Sequence, residues 1–283
     1  MSAARSPARI ALVTGASSGL GHAIATHLAA RDYHVYGTSR RAVMPQEGEE
    51  SPARSQLPVI IPLDVCAEAS VEAAVSHILR RHGRVDVLVN NAGFGIAGAI
   101  EDTSVEELQR QFDANVFGVL RVCRAVVPHM RRQGGGRILN ISSLAGVIAL
   151  PFQGAYSASK FALEALTEAL RMETRPFGIL VSLLEPGDFR TGFTASRVRT
   201  EASRTNPAYA ERCARALGMM ERDERQGPDP ETLAPLVERI LAAHSPRLRY
   251  TAGAPQQRAA ALLKRLLPAA LFERVITTVY GIR

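Results

Sequence analysis

The chain of 283 residues has no tryptophan, only three cysteines and no long apolar run. Each shortage removes a class of protein. The cysteines, Cys66, Cys123 and Cys213, are odd in number, widely spaced and free of any C-x-x-C pair. That pattern argues against a disulfide framework and against a zinc site, and fits a reducing cytoplasmic setting. The opening segment, Met1 to Arg9, is short and polar and lacks the apolar core of a signal peptide. No stretch approaches the roughly 18 apolar residues of a membrane span, so no transmembrane segment is expected. Charge of one sign is also thin on the ground: 34 basic against 27 acidic residues leave a net charge of +7. The basic pairs Arg40-Arg41, Arg80-Arg81 and Arg131-Arg132 are scattered and fall where helices or strands should end. Without a continuous basic stripe interleaved with aromatics, no nucleic-acid partner is expected. An anionic small ligand is an easier use for the modest excess.

What is present is a regular alternation. Short apolar runs at Arg9–Val13, Val35–Tyr36, Val59–Leu63, Val85–Val89, Ile138–Ile141 and Ile179–Leu184 read as buried strands. Between them lie stretches of helical spacing: Gly19–Arg31, Ser70–His82, a long one from a Ser104/Glu107 capping box to about Arg132, and Tyr156–Glu173. Strand–helix alternation of this kind implies parallel strands with helical crossovers. The expected fold is α/β, a Rossmann-type doubly wound parallel sheet in one domain over residues 1–255. Met44 to Pro58 reads as a surface loop. From Asp188 to Gly227 the pattern decays, which marks a substrate-binding flap. A helix over Asp229–Ala243 and a short strand at Arg249–Thr251 follow. The extension at 256–283 divides at Pro268 into two short amphipathic helices.

The first strand runs into Thr14–Gly21, T-G-A-S-S-G-L-G, and then into a helix. Glycine there permits a tight turn and lets a pyrophosphate approach the helix N-terminus with no Cβ in the way. At the end of the second strand, Thr38-Ser39-Arg40-Arg41 carries no acidic residue for ribose hydroxyls. A guanidinium at that place suits a 2′-phosphate, so NADP(H) is expected over NAD(H). Farther on, Ser143 precedes Tyr156 by thirteen residues and Lys160 follows by four. At that spacing phenol and ammonium share a helix face. A nearby cation favours phenolate and would draw a group that normally titrates near ~10 toward working pH. The three read as a proton-transfer station for an alcohol or carbonyl.

Taken together and in this order, the motifs resemble the short-chain dehydrogenase/reductase family, loosely its hydroxysteroid and retinol dehydrogenase-like branch. They are T-G-x-x-x-G-x-G at Thr14–Gly21, Asp64 after the third strand, N-N-A-G at Asn90–Gly93, Asn115, Ser143, Y-x-x-x-K at Tyr156–Lys160, and P-G-x-x-x-T at Pro186–Thr191. The resemblance implies catalytic roles for Asn115, Ser143, Tyr156 and Lys160. In that scheme Ser143 orients the substrate oxygen, Tyr156 transfers the proton, Lys160 holds the nicotinamide ribose, and Asn115 keeps a helix kink. It implies cofactor contacts from Gly15, Ser17, Ser18, Gly19, Leu20, Gly21, Ser39, Arg40, Asp64, Val65, Asn91, Ala92, Gly93, Pro186, Gly187 and Thr191, with Tyr156 and Lys160 shared. It also implies a homodimer or homotetramer.

Loop residues Phe94, Ile96, Leu144, Val147, Leu150, Phe152, Phe189 and Phe193 make the expected substrate lining apolar, which favours a hydrophobic alcohol or ketone. Two other classes stay open: a silent dinucleotide-binding sensor, and a membrane-surface protein acting through the tail, where Lys264 and Arg265 lie beside four leucines. Arg40→Asp is expected to lower kcat/KM with NADPH far more than with NADH. Equal losses with both cofactors in steady-state assays would remove the 2′-phosphate argument.

Overall fold

A computed structural model describes residues 8–45 and 56–282. Residues 1–7 and the middle of the expected surface loop, 46–55, lie outside the described residues. The elements run β1 (Arg9–Val13), α1 (Gly19–Ala29), β2 (Tyr33–Ser39), β3 (Val59–Pro62), α2 (Glu68–His82), β4 (Val87–Asn90), β5 (Ile96–Ala97) and α3 (Val105–Phe112). They continue with α4 (Gly118–Arg132), β6 (Gly136–Ile141), α5 (Gly154–Thr174), β7 (Ile179–Pro186), α6 (Phe193–Ser196), β8 (Val198–Arg199), α7 (Ala202–Thr205) and α8 (Ala210–Gln226). Last come α9 (Ala234–Ala242), β9 (Arg249–Ala252), α10 (Pro255–Leu266) and α11 (Ala269–Val279).

Seven strands pair in the order β3-β2-β1-β4-β6-β7-β9, every pair parallel. This is the doubly wound Rossmann architecture, and strand order reverses between β1 and β4. The period-2 alternation of β1 shows how the layers are built. Ile10 and Leu12 face a core shared with α2, α4 and α5 (Val71, Ile78, Val122, Val126, Leu163). Ala11 and Val13 face the opposite core against α1 and α9 (Ile24, Leu28, Val237, Ile240). Because both faces are covered, the central strands are apolar throughout, and that is why they were readable as runs. A polar ladder crosses the middle of the sheet: Asn90 donates to Asn140 over 2.8 Å, and Asn140 donates to Thr167 over 2.8 Å.

Three regions depart from the sequence reading. The long helix expected from Ser104 to Arg132 is interrupted by a π-helical turn at Asp113–Phe117. The stretch from Asp188 to Gly227, where the pattern decays, contains α8, seventeen residues long. Its buried side is Cys213, Ala216, Leu217, Met220 and Glu224, a stripe with two large apolar residues in a helix rich in charge and therefore faint in hydropathy. A two-stranded parallel pair, β5 with β8, pins the flap to the chain after β4.

The capping box forms as read: Glu107 N–H donates to Ser104 Oγ over 3.1 Å, and Ser104 N–H donates to Glu107 Oε2 over 2.9 Å. Ser104→Ala removes one acceptor from the start of α3 and is expected to cost about 1 kcal/mol, measured as a lower denaturation midpoint.

Candidate active site

The site residues read from sequence lie at or after the C-terminal ends of strands, except Asn115, Tyr156 and Lys160, which stand on helical segments. The glycine turn leaves β1 with Gly15 at φ 67° and Gly19 at φ 57°, conformations that side chains rarely adopt. A Cβ at Gly15 would lie 2.9 Å from Ala92 Cα, and one at Gly21 would lie 2.3 Å from the Gly15 carbonyl. The turn is tied to the end of β4 by Asn91, whose side-chain amide donates to Thr14 O and Gly15 O, each at 3.0 Å. Thr14 Oγ1 accepts from Asn91 N–H and Ala92 N–H at 2.9 and 3.0 Å. Ser17 and Ser18 are exposed. No side chain caps α1, and its first turn carries no acidic residue. Open backbone N–H groups at a helix N-terminus, over a cradle that a Cβ would fill, fit the pyrophosphate of a dinucleotide.

Ser39 and Arg40 end β2, with Arg40 exposed, and Asp64 and Val65 follow β3. Asp64 Oδ1 accepts from Cys66 N–H at 3.0 Å. Val65 packs closely enough on Gly118 that a Cβ there would sit 2.9 Å away. At the other end, Thr191 lies over the glycine turn, 3.3 Å from the place of a Cβ on Gly19. The glycine turn, Asn91, Ala92 and Thr191 therefore form a floor beside the strand-order reversal.

Beside that floor stands the polar group of four. Asn115 lies in the π turn and is buried. Its Oδ1 accepts from Phe94 N–H at 3.1 Å, while Nδ2 donates to Phe94 O at 3.0 Å and to Ser159 Oγ at 3.1 Å. Ser143, after β6, lies next to the Tyr156 phenol; its Oγ accepts from Ala145 N–H at 3.1 Å and donates to Pro186 O at 3.5 Å. Ser142 is buried and points the other way: a Cβ on Gly146 would lie 2.7 Å from Ser142 Oγ. Tyr156 is 8% exposed and Lys160 6%. Lys160 Nζ donates to Ile141 O at 2.9 Å and stands 5.8 Å from the centre of the Tyr156 ring.

The electrostatics differ from the sequence expectation. Burial pushes the Tyr156 phenol up to about 12, opposed by the Ser143 hydrogen bond. Burial also pulls the Lys160 ammonium down to about 8. The lysine is turned onto a backbone carbonyl, and desolvation governs both groups.

The expected apolar lining divides. Phe193 packs on Tyr156 with ring centroids 5.4 Å apart. Leu150 and Phe152 join Ala97, Cys213, Leu217, Met220 and Tyr280 in a third apolar cluster. Phe152 there holds φ 57°, a strained value for a bulky residue. Phe189 instead fills the core against α1 and α9, because the chain after Pro186 turns back onto the sheet.

Several residues that the sequence reading missed close the site. The Arg197 side chain, 3% exposed, pairs with Glu224 of α8, and Thr194 donates to the same carboxylate. The Arg197 guanidinium lies over the Phe193 ring, 5.6 Å from its centroid. Gln257 of α10 accepts from Asp188 N–H at 3.1 Å and donates to its carboxylate. Burial and the neighbouring Glu224 and Asp223 raise Asp188 to about 6. Pairings across 27 and 69 residues leave no local sequence signal. Lys160, however, was marked by composition: it is one of two lysines, with Lys264, in a chain whose other 32 basic residues are arginine.

The profile of the short chain dehydrogenases matches residues 9–202. The chain belongs to this family. Among short-chain dehydrogenases, a 3-ketodihydrosphingosine reductase of Bacteroides thetaiotaomicron is 42% identical over 97% of this chain and 99% of its own. Human retinol dehydrogenase 8 is 37% identical over 80% of this chain and 67% of its own. A short-chain dehydrogenase from Streptomyces avermitilis superposes with a TM-score of 0.79 at 38% identity, covering 98% of this chain and 97% of that one. Another, from Burkholderia phymatum in complex with NAD, has a TM-score of 0.75 at 28% identity over 92% and 93%. The chain is thus an oxidoreductase of the short-chain dehydrogenase type. No helix among its described residues is long and apolar enough to cross a membrane.

Burial of Lys160 carries a pH signature. Between about 8 and its ordinary 10.5, the unfolded chain holds the proton and the folded chain does not. The unfolded state then binds more protons, so stability rises with pH across that window. Thermal melts of wild type against Lys160→Met are expected to shift in favour of wild type as pH climbs through it. A pH-independent difference would mean that no charge is buried there.

Proposed function

We propose that this short-chain dehydrogenase reduces the carbonyl of a long-chain, apolar ketone with NADPH, and oxidises the matching secondary alcohol in reverse. The observation that carries this reading is the Ser143 hydroxyl beside the Tyr156 phenol, with the Phe193 ring packed on that phenol. The likeness to a 3-ketodihydrosphingosine reductase over nearly the whole of both chains supports a ketone on an alkyl chain as substrate. Arg40, exposed after β2 with no carboxylate beside it in the sequence, supports the 2′-phosphorylated cofactor.

Gly15, Gly19, Gly21, Asn91, Ala92, Gly93 and Thr191 would hold the dinucleotide, with Asp64 and Val65 on the adenine side and Pro186 and Gly187 toward the nicotinamide. A reduced nicotinamide supplies the hydride that adds to the carbonyl carbon. Ser143 donates to the carbonyl oxygen and fixes its direction before reaction. Tyr156 delivers the proton from its Oη to the oxygen, which leaves a secondary alcohol and a phenolate that must be reprotonated. A phenol pushed up to about 12 by burial holds its proton at neutral pH, as a donor must. Lys160, brought down to about 8, is close enough to neutral pH to pass a proton on. Asn115 fixes the backbone of Phe94 and, through Ser159, the start of α5.

The exposed apolar residues Phe117, Leu120, Phe161 and Leu166 on or beside α4 and α5 support a homodimer or homotetramer built on those helices. The reduced cysteines are consistent with the cytoplasm.

The test is NADPH consumption with 3-ketodihydrosphingosine, shorter ketones and a reducing sugar. The long-chain ketone is expected to turn over fastest. Tyr156→Phe is expected to abolish turnover and leave NADPH binding near wild type. Turnover surviving in that variant would exclude the phenol as the proton donor. Tight NADPH binding without turnover of any carbonyl would instead favour the sensor reading.

A further inference from the structure

We propose that α10 and α11 form a docking surface for an anionic lipid bilayer, lying along the membrane beside the substrate site. The two helices are twelve and eleven residues long, too short to span. One side of the pair is already engaged by the body of the protein. Phe272 is 4% exposed, Gln257 bonds the loop after β7, and Tyr280 packs into the apolar cluster with Leu217 and Met220.

The same helices nevertheless leave large apolar side chains outside. Leu262 and Leu266, four residues apart on α10, are 58% and 69% exposed. Leu271, Val275 and Val279, four apart on α11, are 46%, 39% and 49% exposed. Four-residue spacing puts each set on one helix face. A tail that served only to cover the body would have buried its stripes there.

Charge identifies the occupant. Arg258, Lys264, Arg265 and Arg274 lie on these helices with Glu273 as their one acidic residue. Long basic side chains flanking an apolar stripe suit the headgroup boundary of a bilayer, and anionic headgroups attract them. A second copy of this chain would bring the same positive charge to the contact, which disfavours self-docking through this face. Since Gln257 and Tyr280 also touch the substrate side, a docked tail sets the mouth of the site at the lipid surface. The inference does not depend on which carbonyl is reduced.

The test is co-sedimentation of the full chain with vesicles of phosphatidylcholine plus phosphatidylglycerol, and of phosphatidylcholine alone. Wild type is expected to pellet with the anionic vesicles. The combined variant Leu262→Ser, Leu266→Ser, Leu271→Ser is expected to lose at least about tenfold in partitioning while its circular dichroism and NADPH binding hold. Should that variant fail to fold, Arg258→Gln with Arg265→Gln carries the test through loss of the preference for anionic vesicles. Wild type left in the supernatant, or a folded leucine variant that pellets as well as wild type, overturns the proposal. A change in assembly size between wild type and the leucine variant, with no vesicle binding by either, also overturns it and assigns the face to a second copy.

Discussion

The carboxamide of Asn115 is the point on which the site depends. One side chain bonds both the N–H and the carbonyl of Phe94, and its third bond goes to Ser159. Ser159 in turn donates to the Tyr156 carbonyl over 2.7 Å. Three segments, the loop after β4, the break between α3 and α4, and the start of α5, are thereby held in one register. An unbroken α-helix through 113–117 would carry position 115 at another angle around the axis. The extra residue of the π turn aims the amide inward, in keeping with where such bulges tend to occur. Buried amides lose more when half-satisfied than they gain when paired, so the arrangement holds only as a complete set.

Around that set, desolvation sets the protonation states. Tyr156 and Lys160 are driven in opposite directions by the same burial, the phenol toward keeping its proton and the ammonium toward giving one up. An arginine in place of Lys160 would stay charged under the same burial. A chain that otherwise uses arginine almost everywhere keeps lysine at this position. Farther along the edge, Arg249 lies between the buried carboxylates of Glu164 and Glu185, with Glu185 raised to about 7 by burial and Glu164. The C-terminal strand is thus fastened electrostatically to β7 and α5.

How far the sequence reveals this structure depends on the range of each interaction. Strands buried on both faces announce themselves as apolar runs, and the capping box at Ser104 and the break at Pro268 are local chemistry. The glycine turn and the residues of the proton station are likewise fixed by spacing within one or two elements. What stayed hidden was nonlocal or low in contrast. The stripe of α8 is built from Cys213, Ala216, Leu217 and Met220 among many charges, so few strongly apolar residues mark it. The partnership of Arg197 with Glu224, and that of Asp188 with Gln257, exist only once the flap and tail have folded back. The direction of the Lys160 ammonium depends on a carbonyl of another strand.

The clamp of Gln257 on the loop after β7 has a consequence for how the molecule comes into being. A chain emerging from the ribosome can assemble β1 to β6 while its later residues are still being made, since N-terminal parts fold first. The loop that carries Pro186, Gly187 and Asp188 waits for Gln257, about seventy residues later. The loop after β7 is therefore complete only once the end of the chain has been made. The end of the chain thereby bears on a loop that, in the linear sequence, looks remote from it.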